Sequence, residues 1–283
     1  MIPAEFDYVA PDSLQGVITA LAEGGEEAKL LAGGHSLVPL MKLRLAVPAL
    51  LVDLRHVPGL RGVQRENASV RIGAMTRHAD LQSMPELGLT ARVASGIADQ
   101  QVRNRGTIGG SLAHGDPASD LPAVLLALDG QVTLQGSCGQ RSVAAADFFS
   151  DYLTTAVGAE EVLTEVHLQA LPGWGWGYEK FNRRAEDWAM VGVCALIRAS
   201  GGHCEDVRIA LTNMGSTPLR ASAAEEALRG QPLDAEHIAA AAEQAPAGTE
   251  PAGDLNASVD YKRHLARVLC RRALTQAASA GAT

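Results

Sequence analysis

Ala32-Gly33-Gly34-His35-Ser36 and Thr107-Ile108-Gly109-Gly110-Ser111 are the stretches whose reading decides the fold of this chain. Each sets two adjacent glycines beside a hydroxyl residue. Glycine carries no Cβ, so a ligand can come close to the backbone N–H groups. Successive N–H groups in such turns form concave nests that attract anions. Two nests about 75 residues apart point to a ligand with an extended anionic middle, held from both sides. A dinucleotide pyrophosphate has that shape and charge.

Working outward from the first stretch, Lys29–Ala32 reads as a short apolar strand that ends at the glycines. Ser36–Leu45 reads as the helix after it, with Pro39 in its first turn. Leu50–Leu54 reads as a second buried strand. Upstream, Pro11-Asp12-Ser13 can cap a helix through Leu14, Val17, Ile18 and Leu21, which Gly24-Gly25 stops. Residues 1–56 thus form a β-α-β-α-β unit. The loop is neither a GxGxxG fingerprint nor a phosphate loop, since no Gly-Lys-Ser/Thr follows. Taken alone, it is equally an ordinary tight connection.

The second stretch lies inside Asp99–Pro122, which is dense in polar and turn-forming residues and reads as a long functional loop. Thr107 and Ser111 offer hydroxyls to a phosphate. Arg103 and Arg105 can meet phosphates or face solvent. Asp120 reads first as a helix cap, and second as an acceptor for ligand hydroxyls. His114 and Asp116 have nothing beside them to complete a metal site. Around this loop, residues 57–173 show a hairpin signal at Arg65-Glu66-Asn67 between Leu60–Val63 and Ser69–Met75. Helical stretches lie near Asp80, over Ala91–Ala98 and over Leu121–Leu128, and strands over Val132–Leu134 and Glu161–Leu168.

Pro172–Gly177 reads as a glycine-rich break that opens a third region, 174–283. Tyr178–Arg183, Val191–Arg198 and Val207–Thr212 suit an antiparallel sheet. The helices Arg220–Leu228, Ala235–Gln244 and Val259–Ala277 follow, with Pro246–Gly253 as a mobile linker before the last.

Composition narrows the function. The chain has 283 residues, 24 basic against 32 acidic, and a net charge of −8. No basic stripe is available to meet nucleic acid. Cys138, Cys194, Cys204 and Cys270 lack CxxC spacing and read as free thiols, not as zinc or iron–sulfur ligands. No segment is long enough to span a bilayer, and Met1–Tyr8 lacks the marks of a signal peptide. The cytoplasm is the expected location, with room for contact with the inner face of the membrane through a larger complex. No Ser-His-Asp, Cys-His or paired-carboxylate arrangement is visible. No catalytic side chain is therefore assigned, which suits a redox cofactor carrying the reaction.

The two glycine stretches, with Asp116-Pro117-Ala118-Ser119-Asp120-Leu121-Pro122, resemble the FAD-binding subunit of molybdenum hydroxylases, the family that includes the flavin domain of xanthine dehydrogenase. The resemblance covers nearly the whole chain. Asp187-Trp188-Ala189 and Tyr261-Lys262-Arg263-His264-Leu265 are similar to its C-terminal flavoprotein domain. Gln101–Thr107 and Tyr178-Glu179-Lys180-Phe181 resemble the aerobic carbon monoxide dehydrogenase branch most. Branches serving nicotine, caffeine, purines and other N-heterocycles share the loops.

The resemblance implies an α+β chain: a two-part FAD-binding domain of the PCMH type (1–56 and 57–173), then an antiparallel sheet with helices (174–283). It implies non-covalent FAD. Backbone N–H groups of Ala32, Gly33, Gly34, His35 and Ser36, and of Thr107, Ile108, Gly109, Gly110 and Ser111, would hold the pyrophosphate. Asp120 would accept from FAD hydroxyls, Lys180 would lie near the flavin, Leu163 would pack on it, and Trp188 would cover the isoalloxazine. Trp188 stands where the family often has Tyr, and Ser111 where Asn is commoner. The implied partners are a small subunit with iron–sulfur (2Fe–2S) clusters and a large subunit with molybdopterin, in a dimer of heterotrimers. Substrate would be oxidised at molybdenum, and electrons would leave through FAD to an external acceptor: quinone, cytochrome or NAD. Two other readings stay open, a stand-alone flavin oxidoreductase and an interaction protein that kept the fold without the flavin.

Overall fold

The structure, a computed structural model, describes residues 1–66 and 69–280. Its first sheet is parallel, with strands β1 (Asp7–Val9), β2 (Ala28–Leu31) and β3 (Leu50–Asp53) in the order β1-β3-β2. Between β1 and β2 runs α1 (Leu14–Gly24), capped by Ser13 Oγ accepting from the Gly16 N–H at 3.2 Å. Its apolar stripe of Val17, Ile18 and Leu21 packs against Ala28 and Val52. Helix α2 (Leu37–Lys42) belongs to a separate cluster, Met41 against Leu31 and Leu51. It ends earlier than its sequence suggests, and Arg44 follows at a positive φ of 58°. Strand β1, the first strand of the expected β-α-β-α-β unit, is exposed along its length, so no apolar pattern fixes its bounds in the sequence.

The second sheet is antiparallel, in the order β4-β5-β10-β6-β7. Its strands are β4 (Val63–Glu66), β5 (Ser69–Gly73), β6 (Gln131–Gly136), β7 (Gly139–Ala144) and β10 (Val162–Gln169). The expected strand at Leu60–Val63 is displaced towards the hairpin turn: Arg65 and Glu66 are paired in β4, and Asn67 lies outside the described residues. Between β5 and β6 come α3 (His78–Gln82), α4 (Leu89–Ser95), α5 (Gln100–Arg103), α6 (Ile108–His114) and α7 (Asp120–Ala127). The supposed long loop 99–122 is therefore largely three short helices. Helix α7 is buried on every side, which is why it is apolar all round. After β7 come α8 (Ala145–Phe148) and a small hairpin, β8 (Phe149–Asp151) with β9 (Thr154–Thr155). Strand β7 is almost wholly exposed and gives no alternation to read.

The third sheet, in the order β11-β12-β13-β14, is antiparallel throughout. It comprises β11 (Trp174–Phe181), β12 (Val191–Ser200), β13 (His203–Thr212) and β14 (Leu219–Arg220). Helices α9 (Ser222–Leu228), α10 (Ala235–Glu243) and α11 (Val259–Ala280) cover one face, where Val193, Ala195 and Ile209 meet Leu269, Ala273 and Leu274. The other face, through Tyr178, Cys194, Leu196 and Ala210, joins the core of the second sheet with α4 and α7. An antiparallel sheet usually keeps one face wet and alternates. Here both faces are covered, so β12 reads as the near-continuous apolar run Val191–Ile197.

Two expectations change. The break at Pro172–Gly177 shrinks to a turn at Leu171–Gly173, because Trp174–Gly177 already belongs to β11. Its glycines serve packing: a Cβ on Gly177 would run into the backbone of Ala273 on α11. Pro246–Gly253 is tied to the fold, with Thr249 and Pro251 buried and the Glu250 N–H donating to the Met214 carbonyl at 3.1 Å.

Candidate functional site

Both glycine segments border one cavity of about 710 Å³, which also reaches the connection between β11 and β12. Ala32, Gly33, Gly34, His35 and Ser36 all line it, where β2 passes into α2. Gly34 has a φ of +80°, a conformation other residues adopt at a cost. Among the described residues, the N–H groups of Gly33, Gly34, His35 and Ser36 donate to no protein acceptor, while the Gly34 and Ser36 carbonyls accept from Val38 and Leu40 at 3.0 and 3.3 Å. Four N–H groups without a protein acceptor on a cavity wall are the kind of donor set that anion nests use.

The second segment differs from its expected role. Thr107 is the N-cap of α6, its Oγ1 accepting from the Gly110 N–H at 3.2 Å. The N–H groups of Ile108, Gly109 and Ser111 donate to the carbonyls of Thr76, Ala74 and Thr107 at 3.0, 2.8 and 3.0 Å. These donors are spent inside the fold, which corrects the symmetrical picture of two equivalent nests. Ile108 itself points into the core, 2% exposed, and does not line the cavity. Thr107, Gly109, Gly110 and Ser111 do line it. The two glycines bring no side chain to this wall, and Ser111 brings a hydroxyl to it. A Cβ on Gly109 would sit 2.5 Å from that of Ala74, so glycine there serves the packing of α6 on the residue that follows β5. Gly33 has a similar duty, since its Cβ would lie 2.9 Å from Gly106 Cα. That contact joins the two segments. Arg103 is committed to structure, donating to the Ile97 and Ala98 carbonyls at 2.8 Å each.

Asp120, Lys180, Leu163 and Trp188 line the same cavity. Ser119, not Asp120, holds the N-cap position of α7. The Asp120 carboxylate instead accepts from Tyr178 OH at 2.7 Å and from Lys180 Nζ at 2.9 Å, and Lys180 also donates to the Gly96 carbonyl at 3.4 Å. Burial raises the Asp120 pKa above its ordinary value, against the opposing pull of Lys180 and Tyr178. Leu163 sits at a register shift in β10 and is buried. Trp188, in the β11–β12 connection, is 54% exposed, so it is not a core residue chosen for bulk.

Sequence reasoning missed three contributors. Tyr178 is two residues from Lys180 on β11, and period-two alternation puts both on one face, a signal that was there to use. Glu161 lines the cavity, held by Arg141 at 2.7 and 2.6 Å and by the Gly158 N–H at 2.8 Å. The Arg141 hydrogen bonds hold its carboxyl below the usual range. His78, also in the wall, is only 4% exposed. Burial, with the charges of His35 and Arg103, pushes its pKa down to about 4, so the ring is neutral at neutral pH. Among the described residues, no group of three or more His, Cys, Asp and Glu side chains could hold a metal ion.

Residues 4–170 match the family described as the FAD binding domain in molybdopterin dehydrogenase. The chain belongs to that family. Residues 176–277 match the CO dehydrogenase flavoprotein C-terminal domain. The carbon monoxide dehydrogenase medium chain of Hydrogenophaga pseudoflava is 45% identical, over 98% of this chain and 98% of its own. The 6-hydroxypseudooxynicotine dehydrogenase complex subunit alpha of Paenarthrobacter nicotinovorans is 39% identical, over 98% and 96%. A solved structure of the H. pseudoflava carbon monoxide dehydrogenase that lacks the Mo-pyranopterin moiety superposes with a TM-score of 0.96 at 46% identity, covering 99% of each chain. As a member of the FAD-binding family, the chain is an oxidoreductase subunit with the α+β architecture of the carbon monoxide dehydrogenase medium chain. None of its described helices is long and apolar enough to cross a membrane.

Proposed function

We propose that this chain is the FAD-binding electron-transfer subunit of a molybdenum- and iron–sulfur-containing hydroxylase, and that the 710 Å³ cavity is its cofactor site. The observation that carries the reading is the junction, in one cavity, of an open N–H nest with a buried Lys180–Asp120 pair. The residues fit the group. The nest at Gly33–Ser36 suits a diphosphate, Ser111 adds a hydroxyl, and Leu163 and Trp188 offer an apolar and an aromatic surface for a flat ring. When bound, FAD would supply reversible electron acceptance between the partner subunits and an external acceptor. The chain's own residues bind and orient it. Lys180 brings one positive charge to the wall, held in place by the Gly96 carbonyl and by Asp120, whose carboxylate also accepts from Tyr178.

The partners of this reading are a small iron–sulfur subunit and a large molybdopterin subunit, in a cytoplasmic dimer of heterotrimers that can rest on the inner face of the membrane. Carbon monoxide is the first substrate proposed, on the strength of the H. pseudoflava relative. An N-heterocycle is the second, since a relative 39% identical is named for 6-hydroxypseudooxynicotine. The test is anaerobic addition of each substrate to the purified complex while flavin absorbance is followed. Bleaching by carbon monoxide alone supports the first. Bleaching by the heterocycle alone supports the second. Isolation of the chain as a colourless single subunit would overturn both.

A further inference from the structure

His78 is the one buried ring in the cavity wall left without any hydrogen bond among the described residues. It is 4% exposed and lines the cavity, and its Nδ1 is sealed from solvent with no partner. A neutral imidazole carries a single N–H. A sealed, orphaned N–H donor is rare, whereas a sealed lone pair is less so. The proton therefore belongs on Nε2. That atom lies beside Gly106: a Cβ there would come within 2.8 Å of it. Gly106 is thus the gap that admits the ring. The surrounding backbone places this edge where the two glycine segments meet. The His78 N–H donates to the Gly106 carbonyl at 3.0 Å, Arg77 bridges to Thr107, and Gly33 packs on Gly106 from the first segment.

We infer that His78 is a further cofactor-binding residue, whose Nε2–H donates to a diphosphate oxygen of the ligand held by the nest at Gly33–Ser36. The inference rests on the FAD reading above and adds a side-chain donor where that reading relies on backbone. It also accounts for a polar ring kept in a place where an apolar one would cost less.

The test uses the full chain freed of flavin. Affinities for FAD and for ADP, which carries the diphosphate without the flavin, are measured by fluorescence quenching and calorimetry for the native chain, His78→Phe and His78→Gln. A donor to a charged group supports about a 10- to 100-fold loss of affinity for both ligands in His78→Phe, with partial recovery in His78→Gln. Equal affinity of His78→Phe and native chain for FAD would overturn the inference, as would a loss seen with FAD and not with ADP. Should His78→Phe fail to fold, the native chain with ¹⁵N-labelled histidine tests the same contact: the His78 Nε2 resonance shifts on adding ADP, and an unmoved resonance overturns the inference. Failure of the native chain to bind FAD at all would instead count against the parent reading.

Discussion

Lys180 Nζ lies 2.9 Å from Asp120 Oδ2, and their side chains are only 9% and 5% exposed. Lys180 stands on the third sheet and Asp120 opens a helix of the second region, so this pair ties the C-terminal part to the cavity wall. Removing one member strands the other, since a buried charge without its partner is costly. Lys180→Met is expected to lower unfolding stability by about 3 kcal/mol, and the double variant Lys180→Met/Asp120→Asn to regain part of that loss. Denaturant unfolding of the flavin-free chain checks both.

Tyr178→Phe removes the other hydrogen bond to Asp120 and leaves the ion pair. A smaller cost follows, roughly 1–2 kcal/mol. A double-mutant cycle with Lys180→Met should show coupling between the two, because both hold one carboxylate.

The glycine segments respond differently to substitution. At Gly33 an added side chain meets the backbone of Arg105 and Gly106, so Gly33→Val should weaken FAD binding and lower thermal stability together. At Gly110 a Cβ would lie 2.8 Å from Thr107 Oγ1. Gly110→Ala should disturb that cap at a cost of about 1 kcal/mol and reduce flavin content. Thermal melts with and without FAD separate the two effects.

Trp188→Ala should leave stability within about 0.5 kcal/mol, because the ring is largely exposed. Stacking is worth roughly 0.5–1.5 kcal/mol, enough to alter the flavin spectrum and reoxidation rate while most FAD stays bound. An unchanged spectrum with a lower melting temperature would oppose this role. Heat or acid should release the flavin from the native protein as free FAD, and flavin remaining on the precipitated chain would contradict non-covalent binding.

His78 gives a pH dependence with a defined sign. Its folded pKa of about 4 lies below the ordinary 6.5, so the unfolded chain binds the proton more readily. The stability of the neutral, buried ring is complete above pH 6.5 and declines as pH falls towards 4. The decline reaches about 2–3 kcal/mol by pH 4.5. His78→Gln should remove that part of the slope, which unfolding curves at pH 7 and pH 4.5 will measure.

Much of this protein follows from local patterns. The apolar stripe of α1, the cap at Ser13, the strands at 28–31 and 50–53, and the covered sheet of 191–212 are written in periodicity and burial. The paired glycine segments likewise mark one site, because glycine is needed wherever backbones or ligands approach closely. Strand β7 is illegible, since its residues are exposed and pairing alone makes it a strand, and β1 enters the sequence reading only as the first strand of the β-α-β-α-β unit, without a range. The tertiary structure alone decided which glycine segment keeps its N–H groups open. In 33–36 no neighbouring carbonyl takes the N–H groups, whereas those of 108 and 109 meet Thr76 and Ala74. It alone brought Asp120 to Tyr178 and Lys180, and set the His78 ring beside Gly106. Contacts between residues this far apart in the chain depend on how sheets and helices stack, and no local spacing encodes them.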